Sequence, residues 1–172
     1  VRAAEPNAAH RALVDLERVY DVRIVTQNVD DLHERAGSTQ VLHLHGEVML
    51  ARSTRNPTLV RHLGERDIEL GDLCELGSQL RPHIVWFGEM VPAMDEAVEL
   101  VAEADVLLVV GTSLQVYPAA GLVFEAPRRA HRIVVNPDIP DRTSGPGFEA
   151  VAKPATVGIS EVVAGLLREV GA

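Results

Sequence analysis

The run Thr26-Gln27-Asn28-Val29-Asp30-Asp31-Leu32-His33 puts two side-chain amides, two carboxylates and an imidazole directly after an apolar segment at residues 22–26. His43-Leu44-His45-Gly46-Glu47 follows at short range. Amides and a carboxylate at alternate positions can grip an amide-bearing ring and sugar hydroxyls. The competing reading of Asn28 and Asp30 is a turn that caps a helix starting near Asp31. An imidazole titrates near neutral pH, so it can take a proton from a hydroxyl without prior activation. His45, just before Gly46, is the candidate base. His43 is its rival, read as pointing to the opposite face of the same strand. His33 falls on the helix after the amide cluster, and His83 beside Pro82 reads as a brace.

Three further segments carry similar signals. Gly111-Thr112-Ser113 ends the apolar stretch 105–110, where a glycine allows a tight turn and hydroxyls beside exposed amides suit a phosphate or ribose. Asn136 ends the next apolar stretch, where its amide can hold a ribose hydroxyl or serve the turn before Pro137. Val85-Trp86-Phe87-Gly88-Glu89 reads as a strand with a freed backbone edge, able to pair with an extended peptide, and Leu114-Gln115-Val116 could pair on the peptide's other side.

These groups need a scaffold that brings strand ends together. Helical spacing predicts helices at 8–20, 95–104, 117–128 and 160–170, the first started by Pro6 and Asn7. Strands are predicted at 22–26, 41–45, 84–87, 105–110 and 132–135, with 106–110 buried. Alternation of this kind indicates an α/β fold, a Rossmann-like doubly wound parallel sheet whose ligands bind beyond the strands' carboxyl ends. Residues 49–80 are rich in turn formers and read as a small inserted subdomain. Residues 1–48 and 81–172 then form the Rossmann-like domain.

Composition narrows the function. With 47% hydrophobic residues among 172, the chain can bury a sizeable core, built from aliphatic residues because aromatics are only 3%. A formal charge of −9 with no basic run argues against a nucleic-acid surface. Cys74 is the only cysteine, so no internal disulfide can form. No apolar run approaches the roughly 20 residues that span a membrane. The start, Val1-Arg2-Ala3-Ala4, lacks a signal-peptide pattern and an initiator methionine. The expectation is a cytoplasmic, N-terminally truncated chain.

Taken together, Gln-Asn-Val-Asp at 27–30, His45-Gly46, the segment Arg81-Pro82-His83-Ile84-Val85-Trp86-Phe87-Gly88-Glu89, Gly-Thr-Ser at 111–113 and Asn136 resemble the sirtuins, NAD-dependent protein lysine deacylases. The resemblance runs from Glu5-Pro6-Asn7 to Lys153-Pro154-Ala155. It implies that Gln27, Asn28 and Asp30 contact the nicotinamide and ribose side of NAD, and that His45 is the base. It implies that Gly111, Thr112, Ser113 and Asn136 hold the phosphate and adenosine part, with Ala155 beside the adenine. Val85, Phe87 and Gly88 match the acyl-lysine peptide cleft, with Leu114 and Val116 opposite. The implied partners are acyl-lysine proteins or peptides. The implied products are free lysine, nicotinamide and an O-acyl-ADP-ribose, the acyl group being acetyl, succinyl or malonyl. The alternative is a non-catalytic fragment that binds ADP-ribose or an acyl-peptide.

Two departures from the family's pattern stand out. Sirtuins carry a Gly-Ala-Gly-Ile-Ser segment, a cofactor loop and a first strand upstream of Glu-Pro-Asn, and this chain starts after them. They also usually hold a structural zinc ion on two cysteine pairs. Here Ser53 stands where the first cysteine is expected and Cys74 alone remains, so no metal is expected. Packing of Leu59, Val60, Leu63, Ile68, Leu70 and Leu73 would have to replace it.

Overall fold

The computed structural model describes residues 1–171. Helix α1 (Ala8–Leu16) begins where Asn7 Oδ1 accepts from the amides of Ala9 and His10, and the Asn7 amide donates to His10 Nδ1. This satisfies donors that a helix start would otherwise leave bare. Strand β1 (Ile24–Thr26) pairs in parallel with β2 (Val41–His43), with α2 (Leu32–Ala36) between them in sequence. Further on, β6 (Val106–Val110), β7 (His131–Val135) and β8 (Glu149–Val151) form a second parallel sheet in that order.

Helices cover both faces, as a doubly wound sheet requires. Helices α1 and α4 (Ala155–Glu169) share one core through Ala9, Leu16, Ile159, Val163 and Leu166, packed on Ile133 and Val135 and on Val106, Leu108 and Val110. On the other face, α3 (Met94–Ala102) and a 3-10 helix (Ala119–Phe124) enclose Leu44, Ala97, Val101 and Leu122, with Val25, Leu42 and Leu107 against them. Alternate residues of β6 thus serve opposite layers, the period of two that a strand imposes. Each fully buried aliphatic side chain, such as Leu44 or Ile159, contributes on the order of 2–3 kcal/mol.

The inserted region is antiparallel. Strand β3 (Gly46–Ser53) lies between β4 (Val60–His62) and β5 (Leu80–Ile84). It starts right after His45 and crosses the composition change at 48/49. Pro82, which cannot donate to a ladder, sits opposite Ala51 beside a register shift in β3.

Several sequence expectations are corrected. The predicted helix at 117–128 is a six-residue 3-10 turn, bounded by Pro118 and Pro127, which break backbone donation on either side. The last helix starts at Ala155 rather than at 160. Gly158 obscures its start in the sequence, but that glycine is required, since a Cβ there would come within 2.4 Å of Val135 Cγ1. The strand expected at 84–87 is instead β5, ending at Ile84. Residues 106–110 are half-buried, because β6 is an edge strand and β7 takes the centre.

The apolar packing expected in the insert is only partly present: Leu59, Leu63 and Ile68 are half-buried. Leu70 is 99% exposed, and Val60 and Leu73 are exposed as well. A polar knot supplements that packing. Buried Ser53 accepts from the amides of Arg55 and Asn56 at 3.1 Å, lies 2.9 Å from Ser78 Oγ and accepts from the Cys74 thiol at 3.2 Å. These hydroxyls tie the Ser53–Asn56 turn to the Cys74–Ser78 turn, where exposed Leu70 and Leu73 give no packing.

Candidate active site

Every candidate cofactor residue between 27 and 136 follows the carboxyl end of a parallel strand. The loop from Gln27 to Asp31 leaves β1 and is held mainly through its backbone. Asn28 N donates to Thr26 Oγ1 at 3.0 Å, and Val48 N donates to Val29 O at 2.8 Å. That arrangement leaves the Gln27 and Asn28 side-chain amides for other partners. Asp30 does both jobs considered for it. Its Oδ1 accepts from Leu32 N at 3.1 Å and starts α2, while its second oxygen is spared.

His45 sits in the turn between β2 and β3, with Nδ1 3.0 Å from the Gln27 carbonyl oxygen. A carbonyl only accepts, so Nδ1 carries the hydrogen and the neutral ring presents its lone pair at Nε2. The candidate base and the amide loop are therefore joined directly. Gly46 explains the glycine after the histidine: its φ is +76°, and a Cβ would lie 2.1 Å from His83 O. Only glycine lets β3 pass β5 at that point.

His43 corrects a sequence expectation. In an unbroken strand His43 and His45, two residues apart, would share a side. Although the chain turns at Leu44 and His45, both rings still face the Gln27–Asn28 backbone. His43 Nδ1 meets the Asn28 carbonyl at 3.3 Å and Nε2 meets Glu34 Oε1 at 2.7 Å. His33 turns inward to stack edge-on with His10, ring centres 4.7 Å apart, and burial lowers its pKa.

The second cluster lies at β6 and β7. Gly111 turns the chain with φ +61°, and its amide donates to Val135 O at 3.0 Å. Thr112 Oγ1 accepts from Leu114 N at 3.2 Å, so its hydroxyl shapes the turn, while Ser113 is exposed. Asn136 Nδ2 donates to Asp138 O at 2.6 Å and to Thr112 O at 3.4 Å, tying the two loops together. Ala155 is half-buried in the first turn of α4. Among the described residues, no hydrogen bond links this cluster to the His45 group.

The candidate peptide strip is joined to the candidate base. Val85 N donates to the His45 carbonyl at 2.9 Å. Beyond it the chain is a turn rather than the strand edge expected from sequence, and Phe87 is 95% exposed at its tip with Gly88 at φ +87°. Glu89 forces the turn. Its carboxylate accepts from Arg81 at 2.6 Å, from Trp86 N at 2.9 Å and from Arg52 at 3.3 Å. The Arg81 bonds, then the Trp86 amide, hold its pKa down to about 2. Sequence reading misses Glu89 as a positioning group, though Arg81 earlier in the same segment is a visible partner. The expectation for Leu114 is corrected. With φ +53° it turns into the core beside Ala120 and Val123, so only its backbone could meet a peptide, while Val116 is exposed.

A family model described as the Sir2 family matches residues 1–118. The chain belongs to the Sir2 family. It is 56% identical over 136 residues to an NAD-dependent protein deacylase of Aggregatibacter actinomycetemcomitans, covering 78% of this chain and 64% of that protein. A Helicobacter pylori protein of the same description is 56% identical over 132 residues, covering 77% and 57%. One from Bacteroides thetaiotaomicron is 43% identical over 163 residues, covering 92% and 70%. The chain thus spans less than two thirds of the first two curated relatives. Among solved structures, a Sir2 homolog–NAD complex superposes with TM-score 0.87 at 38% identity, covering 98% of this chain and 68% of the other. A Sir2–p53 peptide–NAD+ structure gives 0.75 at 32%, covering 98% and 71%.

This Sir2 family chain does not fit a structural zinc ion. Ser53, Cys74 and Ser78 supply one thiol and two hydroxyls, already bonded to one another, where a closed site needs four nitrogen or sulfur ligands. Among the described residues, no three His, Cys, Asp or Glu side chains gather as a metal site. The same hydroxyls, Ser53 foremost, favour the thiolate of Cys74 and bring its pKa down to about 7. A dinucleotide is a different matter. Free side-chain amides, exposed Gly-Thr-Ser backbone and an unblocked imidazole nitrogen are the donors and acceptors its amide ring, sugars and phosphates require.

Proposed function

We propose that the protein removes acyl groups from protein lysines with NAD as cosubstrate. The observation that carries this is the placement of His45, tautomer fixed by the Gln27 carbonyl at 3.0 Å, against the loop that bears the free Gln27 and Asn28 amides. NAD supplies the electrophilic ribose carbon and a leaving nicotinamide. The side chains of Gln27, Asn28 and Asp30 would orient the ribose and nicotinamide half. The backbone at Gly111, Thr112 and Ser113, with Asn136 and Ala155, would hold the phosphate and adenosine half. His45 Nε2 takes the proton from a ribose hydroxyl, the work for which its lone pair is left available. The Val85–Gly88 turn and Val116 would seat the acyl-lysine segment beside it, which fits peptide binding in the p53 complex neighbour. Orientation and proton transfer are the protein's share of the rate.

The acyl group is proposed as acetyl, succinyl or malonyl, and the site of action as the cytoplasm, where a lone, unpaired Cys74 suits a reducing medium. The test supplies the full-length protein with NAD and acetyl-, succinyl- or malonyl-lysine peptides and follows nicotinamide release. Peptide-dependent release with one or more of them supports deacylation. ADP-ribose binding without release from any would instead make this a binding module.

A further inference from the structure

Three consecutive carbonyls of the cofactor-facing loop point toward the β2–β3 segment. Gln27 O faces His45 Nδ1 at 3.0 Å, Asn28 O faces His43 Nδ1 at 3.3 Å, and Val29 O accepts from Val48 N at 2.8 Å. The outer two anchors belong to the assigned base and to the backbone. The middle one is a side chain with no role so far. His43 ends β2, its side chain is 8% exposed, and its other nitrogen lies 2.7 Å from the carboxylate of Glu34 on α2. One ring therefore spans from the loop to the helix that follows it.

We infer that His43 is a positioning residue: it fixes the Asn28 peptide, and with it the direction of the Asn28 side-chain amide toward the cosubstrate. The inference rests on the reading of this loop as the cofactor-holding one. Both partners are acceptors. The Asn28 carbonyl takes a hydrogen from Nδ1, and Nε2 lies beside Glu34 Oε1 at 2.7 Å. Glu34 thus restrains the ring so that Nδ1 stays on Asn28. Without His43 the loop stays attached at Gln27 and Val29, but the peptide between them is free to rotate. The effect falls on cosubstrate binding rather than on folding.

The chemistry of asparagine and glutamine separates this role from simple packing. In His43→Asn the new amide nitrogen would sit about where Nδ1 does, and in His43→Gln about where Nε2 does. In the full-length protein, His43→Asn is expected to keep the KM for NAD within about threefold of wild type. His43→Gln should raise it by about tenfold, the scale of one lost hydrogen bond, with a smaller change in kcat. Deuterium exchange over residues 25–32 should be faster in His43→Gln than in His43→Asn or wild type. Equal KM increases in both variants, or unchanged exchange in His43→Gln, would overturn the inference. If wild type shows no NAD-dependent turnover, the proposed function fails by itself, and the exchange comparison still decides whether His43 holds the loop.

Discussion

The Nδ1 hydrogen of His45 reaches the main-chain oxygen of Gln27 across 3.0 Å. That bond does two things. It selects the tautomer whose lone pair is at Nε2, and it moors the first residue of the amide loop to the turn that carries the proposed base. The proposed base and the amides proposed to hold the cosubstrate are therefore positioned by one contact. Disturbing either side should be felt by the other.

Gly46→Ala tests the backbone beneath that contact. The new methyl would meet His83 O at 2.1 Å in a residue held at φ +76°. A loss of about 3 kcal/mol or more is expected, read as a lower urea midpoint with unchanged slope. A midpoint within error of wild type would mean that β3 and β5 do not pair as described at Gly46.

Glu89→Gln tests the turn proposed to seat the peptide. The neutral amide keeps the shape but weakens the hold on Arg81 and Arg52, and one of its two oxygens becomes a donor facing donors. The KM for the acyl-lysine peptide should rise about tenfold, with the KM for NAD little changed. Because the folded pKa of Glu89 is about 2, the wild-type contact is present above 4.5 and is lost only as pH falls toward 2. Ordinary acid-limb kinetics should not report it.

Much of the Rossmann-like part is legible in sequence because its signals are local. Asn7 caps α1, the apolar run 106–110 forms a strand, and Gln27–Asp30 and Gly111–Ser113 follow parallel strands as the pattern implies. What misleads depends on distant partners. Leu70 and Leu73 look like core, yet the hydroxyl of Ser53 does the holding. Residues 85–88 look like a strand until Glu89 meets Arg81. Gly158 looks like a helix breaker, although it is the close approach of α4 to Val135 that demands it. His43 falls on the wrong face only when a period that is strictly two is miscounted.

Ser53→Ala should be costly for so small a change. It removes the acceptor for the Arg55 and Asn56 amides and a partner of Ser78 and Cys74. About 2 kcal/mol of stability should be lost, because partly buried donors are left unpaired. The Cys74 pKa should also climb from about 7 toward 9.0, seen as a shift in the pH midpoint of its alkylation rate. An unshifted midpoint would contradict the hydroxyl–thiolate contact.

Acid should weaken the α1–α2 contact. Burial lowers the pKa values of His33 and His10 below 6.5, so the unfolded chain takes up these protons first as pH falls. Their contribution to stability is complete above 6.5 and declines as pH drops through the folded values. The melting temperature should fall over that range, and fall less in His33→Gln. A melting temperature that rises on acidification over the same range would contradict this sign.

The most direct measurement compares wild-type and His45→Asn full-length protein for O-acyl-ADP-ribose formation and for NAD binding. Asparagine retains a donor for the Gln27 carbonyl but has no basic nitrogen. Product formation should drop at least about 100-fold while the Kd for NAD stays within about threefold. Turnover at a rate comparable to wild type would show that His45 is not the base.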